Sequence, residues 1–261
     1  MAQKLDLSGN DLVIGDVYVG ASTAGGSGTL LDFNAAGGMT LAAGTATAAP
    51  LTFTLGTNLT TAAAGAIEYD GTVFYASPLA STRELIPAEQ RIVAIADIDL
   101  VDASIASNTA LFAMTGAATG AVTVAAATAY QIEEFGWVTN TGTTSHTWAL
   151  LFGGTATFTR IATLTQATTS TGAALTAVSQ IPATVATATT ITAASTSATE
   201  NVLWKRTGIL TINAGGTLIP SIVASARPGA SGTPGVTLKA GSYFRITPIG
   251  AAANKTIGNW S

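Results

Sequence analysis

Residues 129–152 read AYQIEEFGWVTNTGTTSHTWALLF, and this stretch decides the fold. Its first ten residues have the composition of a β-strand, in which we expect a kink or bulge at Gly136. A Thr- and Gly-rich turn follows. The second strand places four side chains on one face with a period of two: His146, Trp148, Leu150 and Phe152. The stretch therefore predicts two strands joined by a turn.

The same pattern continues on both sides of this stretch. From about residue 96 onward, short strand-like segments recur at spacings of roughly ten residues, separated by Gly-rich turns. No long helical pattern alternates with them, which disfavours a βαβ fold. We therefore predict an all-β chain whose C-terminal domain, residues 96–261, is an antiparallel, jelly-roll-like β-sandwich.

The first twenty residues carry paired apolar positions separated by turn residues. The pairs are Leu5 and Leu7, Leu12 and Ile14, and Val17 and Val19. Strands this short bury too little to be stable alone, so they would be stable against other chains. The alternative is the edge of an ordinary β domain. Residues 21–63 are rich in Gly, Ala and Thr, with short β segments expected around Leu51, Phe53 and Leu55. We expect residues 1–63 to form an extended N-terminal arm.

Residues 64–78 read AGAIEYDGTVFYASP and predict a hairpin. Asp70-Gly71 suits a two-residue type I′ turn, which needs positive φ at both central residues. That register places Tyr69 opposite Thr72, and Ile67 opposite Phe74, with Val73 and Tyr75 on the other face. Both faces are apolar, so we expect both to be covered, and a neighbouring subunit could supply the cover.

The hairpin begins a connector, residues 64–95, in which Pro87 could open one helical turn. We expect the paired residues of the arm and six residues of the hairpin to serve in docking or assembly. The six hairpin residues are Ile67, Tyr69, Asp70, Gly71, Phe74 and Tyr75.

The composition excludes several classes of function. Only 9% of the 261 residues are charged and the net charge is −4, whereas ordinary proteins carry roughly 25% charged residues. Without clustered Lys and Arg, we expect no binding to nucleic acid. The absence of Cys excludes thiolate metal sites and disulfides. No apolar run reaches the ~20 residues of a membrane-spanning helix, so no membrane insertion is expected.

No pattern of catalytic or metal-binding residues stands out. The single histidine, His146, continues an apolar strand face, and no Gly-x-Ser-x-Gly motif accompanies it. Asp97, Asp99 and Asp102 lack the Gly and Glu of a calcium loop and are interpreted as a solvated face. Glu133 and Glu134 point to opposite faces of one strand. We therefore expect no catalytic residue, no metal and no cofactor. A glycan depolymerase would need a carboxylate pair that only folding could assemble.

Two tryptophans, Trp137 and Trp148, support one binding hypothesis. Exposed on a β surface, they could contact a glycan by stacking on sugar rings. The alternative is that both fill the sandwich core, because large aromatic side chains dominate core burial.

Several stretches resemble a known family. The segment PLTFTLGTNLTTAAAGAIEYDGTVFYAS, residues 50–77, is similar to one that recurs in tailed-bacteriophage fibre and virion-structural proteins. There it joins a slender N-terminal part to a C-terminal β domain. Three later stretches resemble that domain: LFGGTATFTRIA (151–162), GILTINAGGTLIPSIVASA (208–226) and LKAGSYFRITPIG (238–250). The long shaft, chaperone domain and lectin tip of many tail fibres are not recognisable in this chain.

The resemblance implies a β-rich virion protein that forms homotrimers. We expect a capsid decoration protein or a short head or neck fibre, docked through its N-terminal arm on the major capsid protein or another virion protein. Such a protein would assemble in the host cytoplasm and reside in the virion. The alternative is a tail fibre or spike whose C-terminal domain binds a host surface polysaccharide.

Overall fold

A computed structural model describes residues 43–251 except for several short segments. The segments outside the description are residues 48, 54, 57, 101–104, 107–108, 113–119, 171–175, 184–186 and 230–234. The chain divides into two units, residues 1–53 and 54–261, and the architecture below is that of the second. The arm residues Leu5, Leu7, Leu12, Ile14, Val17 and Val19 lie outside the described residues.

The described part of the chain contains sixteen strands and no helix. The strands are β1 (Ile67–Tyr69), β2 (Phe74–Ala76), β3 (Glu84–Ile86), β4 (Gln90–Val93), β5 (Ile98–Leu100), β6 (Thr109–Ala110), β7 (Val122–Val124), β8 (Thr128–Asn140), β9 (Trp148–Gly154), β10 (Phe158–Thr169), β11 (Thr176–Ala183), β12 (Thr189–Thr190), β13 (Asn201–Ile212), β14 (Gly216–Ala224), β15 (Val236–Leu238) and β16 (Tyr243–Ala251). This confirms the predicted all-β class.

The largest sheet has eight strands and is organised around β8. One edge of β8 pairs along its length with β13, which continues to β10 and β11. The other edge pairs with β16 and then with β15, and these two strands pair in turn with β4 and β5. Every one of these pairings is antiparallel. Side chains alternate strictly along β8, with even-numbered residues buried from Thr128 to Asn140.

A five-stranded sheet covers the inner face of the large sheet. Its order is β12-β9-β14-β6, with β7 beside the far end of β14. Phe152 of this sheet makes an edge contact with Phe244 of the large sheet, with ring centroids 6.2 Å apart. The two inner faces share one hydrophobic cluster, which includes Trp148, Leu150 and Leu210. The two sheets therefore form the predicted antiparallel sandwich.

The expected kink or bulge at Gly136 is wrong. The pairing of β8 with β13 runs through Gly136 without a change of register. The glycine is explained by packing, because a Cβ atom there would lie 2.0 Å from Cζ2 of Trp204. The indole of Trp204 occupies the space that a side chain at residue 136 would need.

Two local predictions in the N-terminal part are also wrong. Pro87 does not open a helical turn, since residues 87–89 have no regular structure and β4 starts at Gln90. The described residues among 51–55 contain no strand. In both cases backbone pairing depends on neighbouring strands that the local sequence does not specify.

The third sheet, here called the hairpin sheet, consists of β1, β2 and β3 in that order. Both of its pairings are antiparallel. The loop of residues 70–73 joins β1 to β2 at one end of the sheet, and residues 77–83 join β2 to β3 at the other end. The hairpin predicted from the sequence is thus the core of a separate three-stranded sheet.

Candidate functional site

The hairpin turns through a four-residue loop and not through a two-residue type I′ turn. Tyr69 pairs with Phe74, and Ile67 with Ala76, so the register differs from the predicted one by two residues. Gly71 has a φ of +87°, whereas Asp70 is not among the residues with positive φ. A type I′ turn needs positive φ at both positions and is therefore excluded.

The side chain of Asp70 explains the wider loop. Its Oδ1 accepts hydrogen bonds from the backbone N–H groups of Thr72 and Val73, each at 2.9 Å. Its Oδ2 accepts a hydrogen bond from the Tyr75 hydroxyl, also at 2.9 Å. Asp side chains commonly organise turns in this way. One carboxylate therefore fixes the loop and ties it to β2.

One face of the hairpin sheet is covered by the chain itself. Val73 and Tyr75 are buried on this face. Arg83 donates from Nε to Glu68 Oε2 at 2.8 Å and from Nη2 to Glu68 Oε1 at 3.1 Å. Arg83 Nη2 also donates to the carbonyl of Leu59, whose N–H donates to Glu68 at 2.6 Å. The Arg83 guanidinium, followed by the Leu59 N–H, holds the pKa of Glu68 below its usual range.

The other face of the hairpin sheet, here called the open face, is exposed in the single chain. The cross-strand registers place six side chains on it: Ile67, Tyr69, Phe74, Ala76, Glu84 and Ile86. The rings of Tyr69 and Phe74 stack with centroids 4.5 Å apart. Ile67 remains 54% exposed. The described residues of the chain therefore cover this face only in part, since Tyr69, Phe74 and Ala76 are half-buried.

A groove separates the loop end of the open face from the sandwich. Its volume is about 520 Å³. Tyr69 and Phe74 line one wall, Val124, Tyr130 and Pro248 line the other, and Gln90 lies between them. Gln90 Nε2 donates to the carbonyl of Thr123 at 2.9 Å, which links β4 to β7 beside the groove. The walls are mainly apolar and aromatic, so the groove suits an apolar or amphipathic occupant.

The two tryptophans proposed as glycan contacts have different environments. Trp148 is fully buried between the sheets, so its ring cannot stack on a sugar in this structure. Trp137 lies on the outer face of the large sheet and is 38% exposed. It stands directly opposite Leu203, and its Nε1 donates to Asn201 Oδ1 at 3.2 Å. Only Trp137 of the pair is available to a ligand. The alternative that both fill the sandwich core is correct for Trp148 and wrong for Trp137.

A charged cluster occupies the same outer face, nearer to the groove. Glu133 accepts hydrogen bonds from the hydroxyl of Tyr243 and from Arg245 Nη2, the latter at 3.1 Å. Arg245 also lies 3.6 Å from Glu89, which pairs with Arg91 at 2.8 Å. The Tyr243 hydroxyl and then the Arg245 guanidinium lower the pKa of Glu133. The same hydrogen bond raises the pKa of Tyr243.

Two buried carboxylates inside the sandwich were not identified as structural groups from the sequence. Glu134 accepts a hydrogen bond from Trp204 Nε1 at 2.7 Å and pairs with Arg206. The Arg206 guanidinium also lies 4.0 Å above the ring of Phe152. All of these side chains are buried. The period of two along β8 could have shown that Glu134 points inward, because it lies two residues from Ile132 on the same face.

The second buried carboxylate, Glu200, holds the single histidine. His146 Nε2 lies 3.0 Å from Glu200 Oε2, and Trp148 Nε1 donates to the same oxygen at 3.0 Å. His146 Nδ1 lies 2.7 Å from the carbonyl oxygen of Thr144. The side chain of Asn140 closes the adjoining turn by accepting from the Gly142 N–H at 2.7 Å. His146 is therefore a packed core residue.

The remaining acidic candidates do not converge on a shared site. Asp97 pairs with Lys239, and Asp99 accepts from the Thr237 hydroxyl at 2.8 Å. Asp102 lies outside the described residues. The described residues include no group of three or more His, Cys, Asp or Glu side chains placed to hold a metal ion. Nor do they include a helix that is long and apolar enough to cross a membrane.

No protein-family model, curated protein or solved structure matches this chain.

Proposed function

We propose that the chain is a structural component of a tailed-phage virion. In this proposal it is a trimeric capsid decoration protein or a short head or neck fibre. It docks through residues 1–63 on the major capsid protein or another virion protein, and it is not an enzyme. The assignment to a phage particle rests on the family resemblance of residues 50–77. One observation of the structure supports a role in assembly.

That observation is where the exposed apolar side chains lie. Eight of the twelve large hydrophobic side chains that are exposed among the described residues fall within residues 51–95. These eight are Leu51, Phe53, Leu55, Leu59, Ile67, Leu79, Ile86 and Ile95. Scattered apolar side chains are normal on a protein surface, but a concentration of them marks an interaction surface. Five of the eight lie within residues 50–77, the segment that carries the resemblance, and the other three follow it.

The buried polar groups support a structural role. The carboxylates of Glu134 and Glu200 each hold an indole N–H and a basic side chain in the core. Hydrogen bonds of this kind between buried side chains favour one packing of the two sheets. Both carboxylates therefore make their contacts inside the core.

Sedimentation of the full chain and immunogold electron microscopy test the proposal together. We expect a heat-resistant trimer at micromolar concentration, and gold on the heads or necks of virions when the antibody recognises the sandwich. A monomer that melts like an average domain, together with unlabelled virions, would contradict the proposal.

An alternative function is supported by Trp137. This side chain is 38% exposed and lies beside Leu203 on the outer face of the large sheet. An exposed indole on a flat sheet can stack on a sugar ring. In this alternative the chain is a tail fibre or spike that binds a host surface polysaccharide.

A glycan array with the full chain and a Trp137→Ala variant tests the alternative. We expect binding by the parent chain and none by the variant if this function is correct. Leu164→Ala, on the same outer face, is the matched control and should retain binding. Gold at the tail end of the virion would favour this alternative, and an array without any binding would remove it.

A further inference from the structure

We propose that the groove beside the hairpin sheet is one half of a head-to-tail contact between copies of this chain. The occupant is the far end of the hairpin sheet of a second copy, here defined as Ile67, Leu79 and Glu84. This inference rests on the proposed trimer and names the surfaces that would join its subunits.

The two surfaces lie at opposite ends of the hairpin sheet. Tyr69 and Phe74 adjoin the loop of residues 70–73 and line the groove. Ile67 begins β1 and Glu84 begins β3, at the end where residues 77–83 turn. One chain cannot bring its own far end into its own groove, because the length of the sheet separates them. A second copy can.

The apolar surfaces match. Ile67 and Leu79 are 54% and 65% exposed at the far end. The groove offers Tyr69, Phe74 and Pro248, which are only partly buried in the single chain. Seating the two aliphatic side chains among these three removes apolar surface of both copies from water, which is the main driving force of protein association.

The charges match as well. Glu84 is exposed and has no ion-pair partner among the described residues. The groove adjoins the charged cluster of the large sheet, in which Glu89 lines the groove and is paired with Arg91 and Arg245. The cluster contains three basic and two acidic side chains. These are Lys205, Arg91, Arg245, Glu89 and Glu133. The cluster therefore carries one net positive charge, complementary to the free carboxylate of Glu84.

The geometry allows a closed ring of copies. Because the two surfaces are different and lie on the same chain, each subunit offers one to each neighbour. Such heterologous contacts close into a ring when the rotation between subunits allows it. Three copies would close the ring in the proposed trimer, and a dimer by sedimentation, in which two copies exchange both contacts, would overturn it.

Site-specific cross-linking tests the contact, since the chain has no Cys of its own. Chains carrying Ile67→Cys and chains carrying Ala88→Cys, at the groove, are co-expressed with tags of different size and treated with a short flexible bis-maleimide. We expect a cross-linked heterodimer as the main product. Leu164→Cys replaces Ile67→Cys in the matched control, because Leu164 is exposed on the outer face of the large sheet.

The outcomes separate this inference from the proposed function. Trimers by sedimentation that give no more heterodimer than the control pair would overturn the contact and leave the trimer standing. Homodimers of Ile67→Cys chains would also overturn it, because they would place identical far ends together. Monomers by sedimentation would overturn both the contact and the trimer.

A charge substitution provides a second readout. Ile67→Arg should raise the concentration at which trimers dissociate by about tenfold or more, whereas Leu164→Arg should leave it unchanged. Circular dichroism establishes that both variants fold. Unaltered dissociation in a folded Ile67→Arg variant would count against the contact.

Discussion

His146 Nε2 lies 3.0 Å from Glu200 Oε2, and both side chains are almost completely shielded from solvent. The same carboxylate oxygen receives the indole N–H of Trp148 at 3.0 Å. This single oxygen therefore joins the start of β13 to β9 across the sandwich.

Glu200→Ala should strongly destabilise the fold. The substitution leaves the Trp148 indole N–H and the His146 ring without their buried acceptor, and each buried polar group left without its hydrogen-bond partner costs about 1–3 kcal/mol. Urea denaturation at one fixed protein concentration measures the free energy of unfolding. Gln166→Ala, an exposed residue of β10, is the control and should change it by less than about 0.5 kcal/mol. Equal losses in the two variants would show that Glu200 contributes nothing through its buried contacts.

Gly136→Ala should destabilise the sandwich by about 1–3 kcal/mol, the usual effect of overpacking. The added methyl group would overlap the Trp204 ring, 2.0 Å from its Cζ2. Combining it with Trp204→Phe should cost less than the sum of the two single substitutions, because the smaller ring leaves room. A double-mutant cycle of unfolding free energies measures this coupling, and strict additivity would contradict the packing explanation.

Gly71→Val should weaken the hairpin sheet by about 1–2 kcal/mol, because a β-branched residue disfavours positive φ. Its Cβ atom would also lie 2.5 Å from Leu55 Cδ1. Gly71→Asn is the matched variant, since Asn tolerates the left-handed conformation better. Thermal melting compares the two. If both variants melt at the parent temperature, the positive φ at residue 71 is not a constraint on the hairpin.

The ion pair between Glu68 and Arg83 should make the free energy of unfolding depend on pH below about 4.5. A carboxylate with a lowered pKa stabilises the folded state fully above its ordinary value, 4.5 for glutamate, and progressively less as the pH falls below it. Glu68→Gln should therefore cost about 1 kcal/mol at pH 7 and become equivalent to the parent in strong acid. Unfolding free energies between pH 7 and pH 2 test this. A difference that is constant with pH would exclude the ion pair as its source.

The sandwich was predictable because its strands carry their own signal. In β8 and β9 the inward side chains recur with a period of two, and burial follows that alternation closely in β8. The face assigned to His146 and Trp148 is indeed the buried one. This alternation depends only on residues within one strand, so it can be predicted without knowing which strands pair with it.

The predictions that were wrong concern features that depend on contacts the local sequence pattern does not show. The hairpin register depended on the Asp70 carboxylate, which captures two backbone N–H groups and widens the loop. Gly136 looked like a bulge because the side chain that fills its space, Trp204, comes much later in the sequence. The groove was not predictable for the same reason, since its walls come from β1, β2 and β8 and from residues near β7 and β16.

The central position of β8 also has a consequence for synthesis on the ribosome. Both of its edges are completed by strands made much later, as shown by Glu133 and Tyr243, which bond to each other across 110 residues of sequence. A nascent chain that ends before β16 leaves the edge of β8 that pairs with β16 without its partner strand. The large sheet must therefore close after β16 has left the exit tunnel, and chaperone protection of the unfinished chain would matter most in that interval.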